Sequence, residues 1–267
     1  MTSATSRPVP DAPAEAGGLT HVFSLPTTMH TATADLLAPP PPIEAVLFDF
    51  ANTLFRMVPT EVCLTRVWQE AGRDPADLDA ALVAAEIRAA GLLPHVLSAQ
   101  PGRDSSLEAH RVATKIWFDE VPALDGIFEY AYAEIFSGRS WFPYDDTAPV
   151  LRELAARSVP VGIVSDIVWD LRRDIAAQGL ADTVQAYSLS YLLGCEKPDP
   201  RMFTTACAEL GVDPRRTLMV GVNPARDGGA VAGGLRAFLL PSEPKTGVRG
   251  LASVLDLLGP AKPVAGD

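Results

Sequence analysis

The chain has 267 residues, 48% of them hydrophobic, enough for one sizeable core with a smaller companion. Its 33 acidic residues outnumber 22 Lys and Arg, and the formal net charge of -11 argues against sequence-independent binding to nucleic acid or to an anionic membrane. Three cysteines, Cys63, Cys195 and Cys207, lie far apart with no CxxC pair and no histidine at ligand spacing, which speaks against a disulfide framework or a zinc site and fits a reducing, cytoplasmic location.

Residues 1–42 are rich in Pro, Ala, Ser and Thr and read as a disordered N-terminal extension, and residues 260–267 as a flexible tail. No basic segment precedes an apolar stretch, and no run approaches the roughly 18 apolar residues of a membrane span. From Ile43 onward, short apolar runs alternate with helix-period segments. "AVLFDF", "VPVGIVSD", "QAYSLSYLLG", "TLMVGV" and "LRAFLLP" read as strands. Continuous apolar strands separated by helices imply an α/β fold with a doubly wound parallel sheet. Residues 43–58 and 142–259 make this core.

Residues 59–141 are too long for a simple crossover and are helical in pattern. "TEVCLTRVWQEAG", "DPADLDAALVAAEIRAAG" with an Asp-Pro start, "SLEAHRVATKIWFDEV" and "LDGIFEYAYAEIFSG" read as four helices of a small cap. An insertion directly after the first strand hangs over that strand's carboxyl end, where function in such sheets is found. Asp49 lies there, and Ser165 with Asp166 ends "VPVGIVSD".

The order of these motifs resembles the haloacid dehalogenase-like hydrolase superfamily from about Glu44 to Leu258. The residues that carry the resemblance are Asp49-Phe50-Ala51-Asn52-Thr53 after the first strand, Ser165 at a strand end, Lys197 before Pro198, and Gly221-Val222 with Asp227 in "MVGVNPARDGGA". The resemblance implies a Rossmann-like core and a helical cap. It also implies that Asp49 attacks the substrate to form an aspartyl intermediate, Ser165 and Lys197 bind the transferring group, and Thr53 and Asn52 assist from the loop. The substrate expected is a small anionic metabolite, phosphorylated in most such enzymes, with no nucleic acid or membrane partner. Oligomeric state is left open.

Two departures set this chain apart. The resemblance places a proton-transferring Asp where Ala51 stands, and Ala51 offers only its carbonyl, as a ligand to Mg²⁺. Val222 replaces an acidic ligand, leaving Asp49, Ala51 and Asp227 as the metal set and predicting weak Mg²⁺ binding. Asp227 has two other readings, pairing with Lys197 or capping the segment "DGGAVAGG". Asp166 is a candidate substitute for the missing acid, with capping of "WDLRRDIAAQG" as the alternative. Ser165 is also readable as a helix N-cap. Ala at this third position and Lys115 in the insertion fit a carbon–phosphorus-cleaving relative that uses an imine-forming lysine. Carbon–halogen cleavage and a catalytically silent binding protein are the remaining alternatives.

Overall fold

In the computed structural model the described residues are 39–244 and 246–258, so the expectations for residues 1–42 and 260–267 fall largely or wholly outside them. Five parallel strands form the sheet: β1 (Ala45–Phe48), β4 (Val161–Ser165), β5 (Ala186–Leu189), β6 (Thr217–Gly221) and β7 (Arg236–Leu239). Their spatial order is β5-β4-β1-β6-β7. The central strand is also the most apolar: all four β1 side chains are buried because both faces of the strand are covered.

Alternate residues point to opposite faces. Val46 and Phe48 pack in a cluster with Leu151, Leu154, Leu171 and Val254, whereas Leu47 joins Val164, Met202, Phe203 and Met219 on the other face. Helices Thr147–Ala156 and Ser253–Leu257 supply the first face, and helix Pro200–Leu210 the second. The strand expected over "QAYSLSYLLG" is shorter than its apolar run. It stops at Leu189, and Ser190–Leu193 turns into a helix as the Ser190 hydroxyl accepts the Ile167 N–H at 2.8 Å.

A two-stranded antiparallel ribbon, β2 (Phe55–Met57) with β3 (Trp141–Pro143), brackets the inserted segment. Four long helices stand between them: Thr60–Glu70, Ala80–Ala90, Leu107–Phe118 and Phe128–Ile135, with a shorter one at Pro94–Ser98. The second helix starts later than the Asp-Pro signal suggests. Asp74 caps a short 3-10 turn, and Asp79, accepting from the Leu82 N–H, caps the helix itself. Leu64, Val67, Trp68, Val83, Ile87, Leu124 and Ala131 give the insertion an apolar core of its own. Among the described residues no single helix is long and apolar enough to cross a membrane; the bent pair Ala80–Ala90 and Pro94–Ser105 turns by 62°.

Candidate active site

β1 sits where the strand order reverses, between β4 and β6, so the carboxyl ends of these three strands lie side by side. They open into a cleft of about 310 Å³ lined by Asp49, Ala51, Asn52, Ser165, Lys197 and Asp227, among others. Just after β1, Asp49 donates its N–H to the Val220 carbonyl at 2.9 Å. The chain then doubles back. The Phe50 carbonyl accepts from the N–H groups of Leu54 and Phe55, and Asn52 adopts a φ of 60°, a left-handed conformation that asparagine tolerates. This turn lets the Thr53 hydroxyl donate to Asp49 Oδ2 at 3.2 Å.

Lys197 Nζ donates to Asp49 Oδ1 and to Asp227 Oδ1, both at 2.7 Å, and all three side chains are buried. Burial opposes the ammonium charge, but Asp49, Asp227 and Asp166 outweigh it and push the lysine pKa up, so Lys197 stays cationic. Burial pushes the Asp49 carboxyl above the usual carboxylate range. Lys197 pulls it back, and Asp227, sharing the same ammonium, pushes it up again.

The other Asp227 oxygen accepts from the Val222 and Asn223 N–H groups at 2.9 and 2.8 Å. Gly221, the last residue of β6, makes room for this, since a Cβ there would collide with the Asp227 carboxylate. Both Asp227 oxygens are therefore engaged. A hard Mg²⁺ needs several oxygen ligands at near-octahedral geometry. With both Asp227 oxygens engaged, one Asp49 oxygen held by Lys197 and an isopropyl group at Val222, the residues present do not fit a Mg²⁺ site. Among the described residues no group of three His, Cys, Asp or Glu side chains is arranged to hold a metal.

Asp166 lines the same cleft, yet its oxygens are committed: Oδ1 accepts the Lys197 N–H at 2.8 Å and Oδ2 pairs with Arg226 at 2.6 Å. It caps no helix and positions the Lys197 segment. Ser165 ends β4 with 2% exposure and faces the cleft. Lys115 pairs with Asp119 at 2.6 Å on an exposed helix face and does not line the cleft.

Four cleft residues escaped the sequence reading: Arg103, Asp104, Asn223 and Arg226. The first two lie on a short 3-10 turn of the insertion, entered through Gly102 at a φ of 79°. Core groups pin this turn over the cleft. Glu196, the neighbour of Lys197, accepts from the N–H groups of Gly102 and Asp104 at 3.2 and 2.5 Å, while the Ser190 hydroxyl donates to the Asp104 carbonyl at 2.6 Å. Asp104 is 6% exposed and its side-chain partners are distant, Arg103 Nε at 3.4 Å and His110 Nε2 at 3.8 Å. Burial pushes its pKa up, Arg103 pulls it down, and Glu196 and Asp166 push it up further. A charged "GRD" triplet inside a helical insertion was the sole signal.

His110, behind Asp104, is bonded to the Tyr132 hydroxyl at 3.1 Å, and burial with the Arg103 charge lowers its pKa from 6.5 to about 4. The folded state therefore prefers the neutral ring. That contribution is complete above pH 6.5 and is lost as the pH falls towards 4, by about 2–3 kcal/mol. Thermal unfolding midpoints should drop across this window, and His110→Phe should flatten that part of the drop.

The family model of the haloacid dehalogenase-like hydrolases matches residues 43–232, spanning the Asp49 turn, the insertion, Lys197 and Asp227. The chain belongs to this family. A phosphoserine phosphatase of Thermus thermophilus is 34% identical over 118 residues, 41% of this chain and 47% of that protein. Haloacid dehalogenase-like hydrolase domain-containing protein 3 of Mus musculus is 27% identical over 156 residues, covering 58% of this chain and 61% of its own length. The chain thus spans about half the length of these curated relatives. Among solved structures, a HAD phosphatase from Thermococcus onnurineus superposes with a TM-score of 0.55 at 21% identity, covering 83% of this chain and 100% of the other. The L-2-haloacid dehalogenase from Xanthobacter autotrophicus gives 0.54 at 23%, covering 83% and 85%. These likenesses establish the fold.

Proposed function

We propose that the protein is a hydrolase of a small phosphorylated metabolite that works through an Asp49 ester without a bound metal ion, the helical insertion acting as its cap and delivering the proton from Asp104. The observation that carries this reading is the ammonium of Lys197 bridging Asp49 and Asp227 at 2.7 Å each. A fixed buried cation there supplies charge stabilisation that a divalent ion would otherwise provide. The phosphatase named among the sequence relatives supports phosphate as the transferred group.

In this reading the phosphoryl group lies between Asp49, Ser165 and Lys197. An Asp49 oxygen attacks phosphorus as the bond to the leaving oxygen breaks, and the Asp104 proton passes to that oxygen. Water then attacks the aspartyl-phosphate while Asp104, now a carboxylate, takes a water proton. Phosphate leaves, and Asp49 and the protonated Asp104 are restored. Thr53 and Asn52 hold the nucleophile's turn, and Asp166 holds the Lys197 segment. All three cysteines are buried and unpaired, in keeping with a reducing cytoplasm.

One observation favours a second reading. With both Asp227 oxygens engaged and Ala51 lacking an acid, displacement of halide from a small halogenated acid fits, since it needs neither a metal nor a proton donor. Release of phosphate from a panel of phosphate monoesters, and of halide from 2-haloalkanoates, each with EDTA or Mg²⁺, separates the two. Phosphate release that EDTA leaves within about twofold is the expected result. Halide release alone moves the protein to the second reading, and strict dependence on Mg²⁺ overturns both.

A further inference from the structure

We infer that the insertion contains an apolar subsite that takes the hydrocarbon part of the substrate, so the natural substrate is an alkyl or aryl phosphate rather than a sugar or amino-acid phosphate. This rests on the phosphate-handling reading for the anionic end, while the subsite itself rests on separate observations.

A cavity of about 280 Å³ lies among the insertion helices, walled chiefly by Leu64, Val67, Ile87, Trp117, Leu124 and Trp141. The polar part of its wall is Thr60, Cys63, Arg103, Thr114, Glu134 and His110, of which Glu134 and His110 are already bonded. Glu134 accepts from Arg66 at 3.2 Å, Ser140 at 2.6 Å and Arg139 at 2.8 Å. The His110 ring is bonded to Tyr132 and is neutral above a pKa of about 4. Two threonine hydroxyls and one guanidinium are too few to replace the water around a sugar, and a polyhydroxy group moved there would lose most of its hydrogen bonds.

Arg103 joins the two sites. It is on the wall of this cavity and on the wall of the Asp49 cleft, one residue before Asp104. A phosphate ester lying across that turn has its phosphoryl group at Lys197, its bridging oxygen beside Asp104 and its carbon body in the insertion. Size agrees with this placement. An apolar cavity of roughly 150 Å³ accepts benzene, so this one has room for a phenyl ring bearing a short chain, or for an alkyl chain of about six to eight carbons. The cost of leaving such a space without contacts is relieved when hydrocarbon fills it.

The test measures binding rather than turnover, by calorimetry on the full chain. Inorganic phosphate and the non-hydrolysable methyl-, propyl-, hexyl- and phenylphosphonates probe both sites together, and 1-hexanol and benzyl alcohol probe the cavity alone. Affinity should rise roughly fourfold per methylene up to about six carbons. Leu64→Trp and, independently, Ala131→Leu should fill the cavity, cancelling the gain with chain length and the binding of both alcohols while leaving phosphate affinity unchanged. Alcohol binding that these variants remove, with no binding of phosphate or phosphonate, upholds the subsite and removes the phosphate reading. Phosphonate affinity independent of chain length, or alcohols that do not bind, overturns the subsite whatever happens to phosphate.

Discussion

Asp49→Asn is expected to remove turnover by at least about a thousandfold, because the amide keeps the shape of the side chain but cannot form an ester with the substrate. The substitution also separates chemistry from packing. Lys197 would keep its contact with Asp227 at 2.7 Å, and the substituted amide would still offer an oxygen to it, so the folded state should persist and still bind phosphate. Rapid quenching of the natural protein with a labelled phosphate ester should trap label on Asp49 and on no other residue. A variant that retains more than a tenth of natural activity would show that Asp49 is not the nucleophile. The pH profile carries the same signature: activity should rise as Asp49 ionises, on a limb displaced upward from ordinary carboxylates, since burial and the shared ammonium's second carboxylate, Asp227, raise that pKa.

Asp104→Asn is the second large effect. General acid help is worth about 10²–10⁴-fold, and its loss falls hardest on leaving groups that need a proton. The variant should therefore lose about 10²–10⁴-fold in kcat on alkyl phosphates, and less than about tenfold on p-nitrophenyl phosphate, whose leaving oxygen departs unprotonated. The alkaline limb of the natural profile, where Asp104 gives up its proton, should disappear with it. Ala51→Asp in the Asp104→Asn background should restore part of the activity on alkyl phosphates by placing a carboxyl beside the nucleophile again. Equal losses on both kinds of ester would reduce Asp104 to an anchoring role.

The core was legible because buried parallel strands announce themselves as apolar runs, and Asp49, Ser165 and Lys197 because they follow directly from such strands or from a Pro-marked helix start. Where two local signals competed, the sequence did not rank them. Asp74-Pro75 and Asp79 are both good helix caps, and the choice between a 3-10 turn and a helix was made by packing of the insertion. The Ser190 turn was hidden for a different reason, since its hydroxyl bonds to Ile167 and Asp104, distant along the chain. Asp104 was hidden most completely. Its position depends on Glu196, 92 residues later, and no periodicity or motif spans that separation. The engagement of Asp227 was half visible, as pairing with Lys197 was one of its readings, while the N–H contacts from Val222 and Asn223, five and four residues earlier, depend on the turn that follows β6.

Glu196 and Lys197 are consecutive in the chain but face different tasks, one holding the insertion's turn and the other Asp49. In the proposed reaction this adjacency would make the site behave like a clutch. Lifting the insertion would break the Glu196 contacts to Gly102 and Asp104 and would carry the proposed proton donor away from Asp49 at the same moment. Chemistry would then be confined to the engaged form, and the rate at which the turn seats on Glu196 would set an upper limit on turnover.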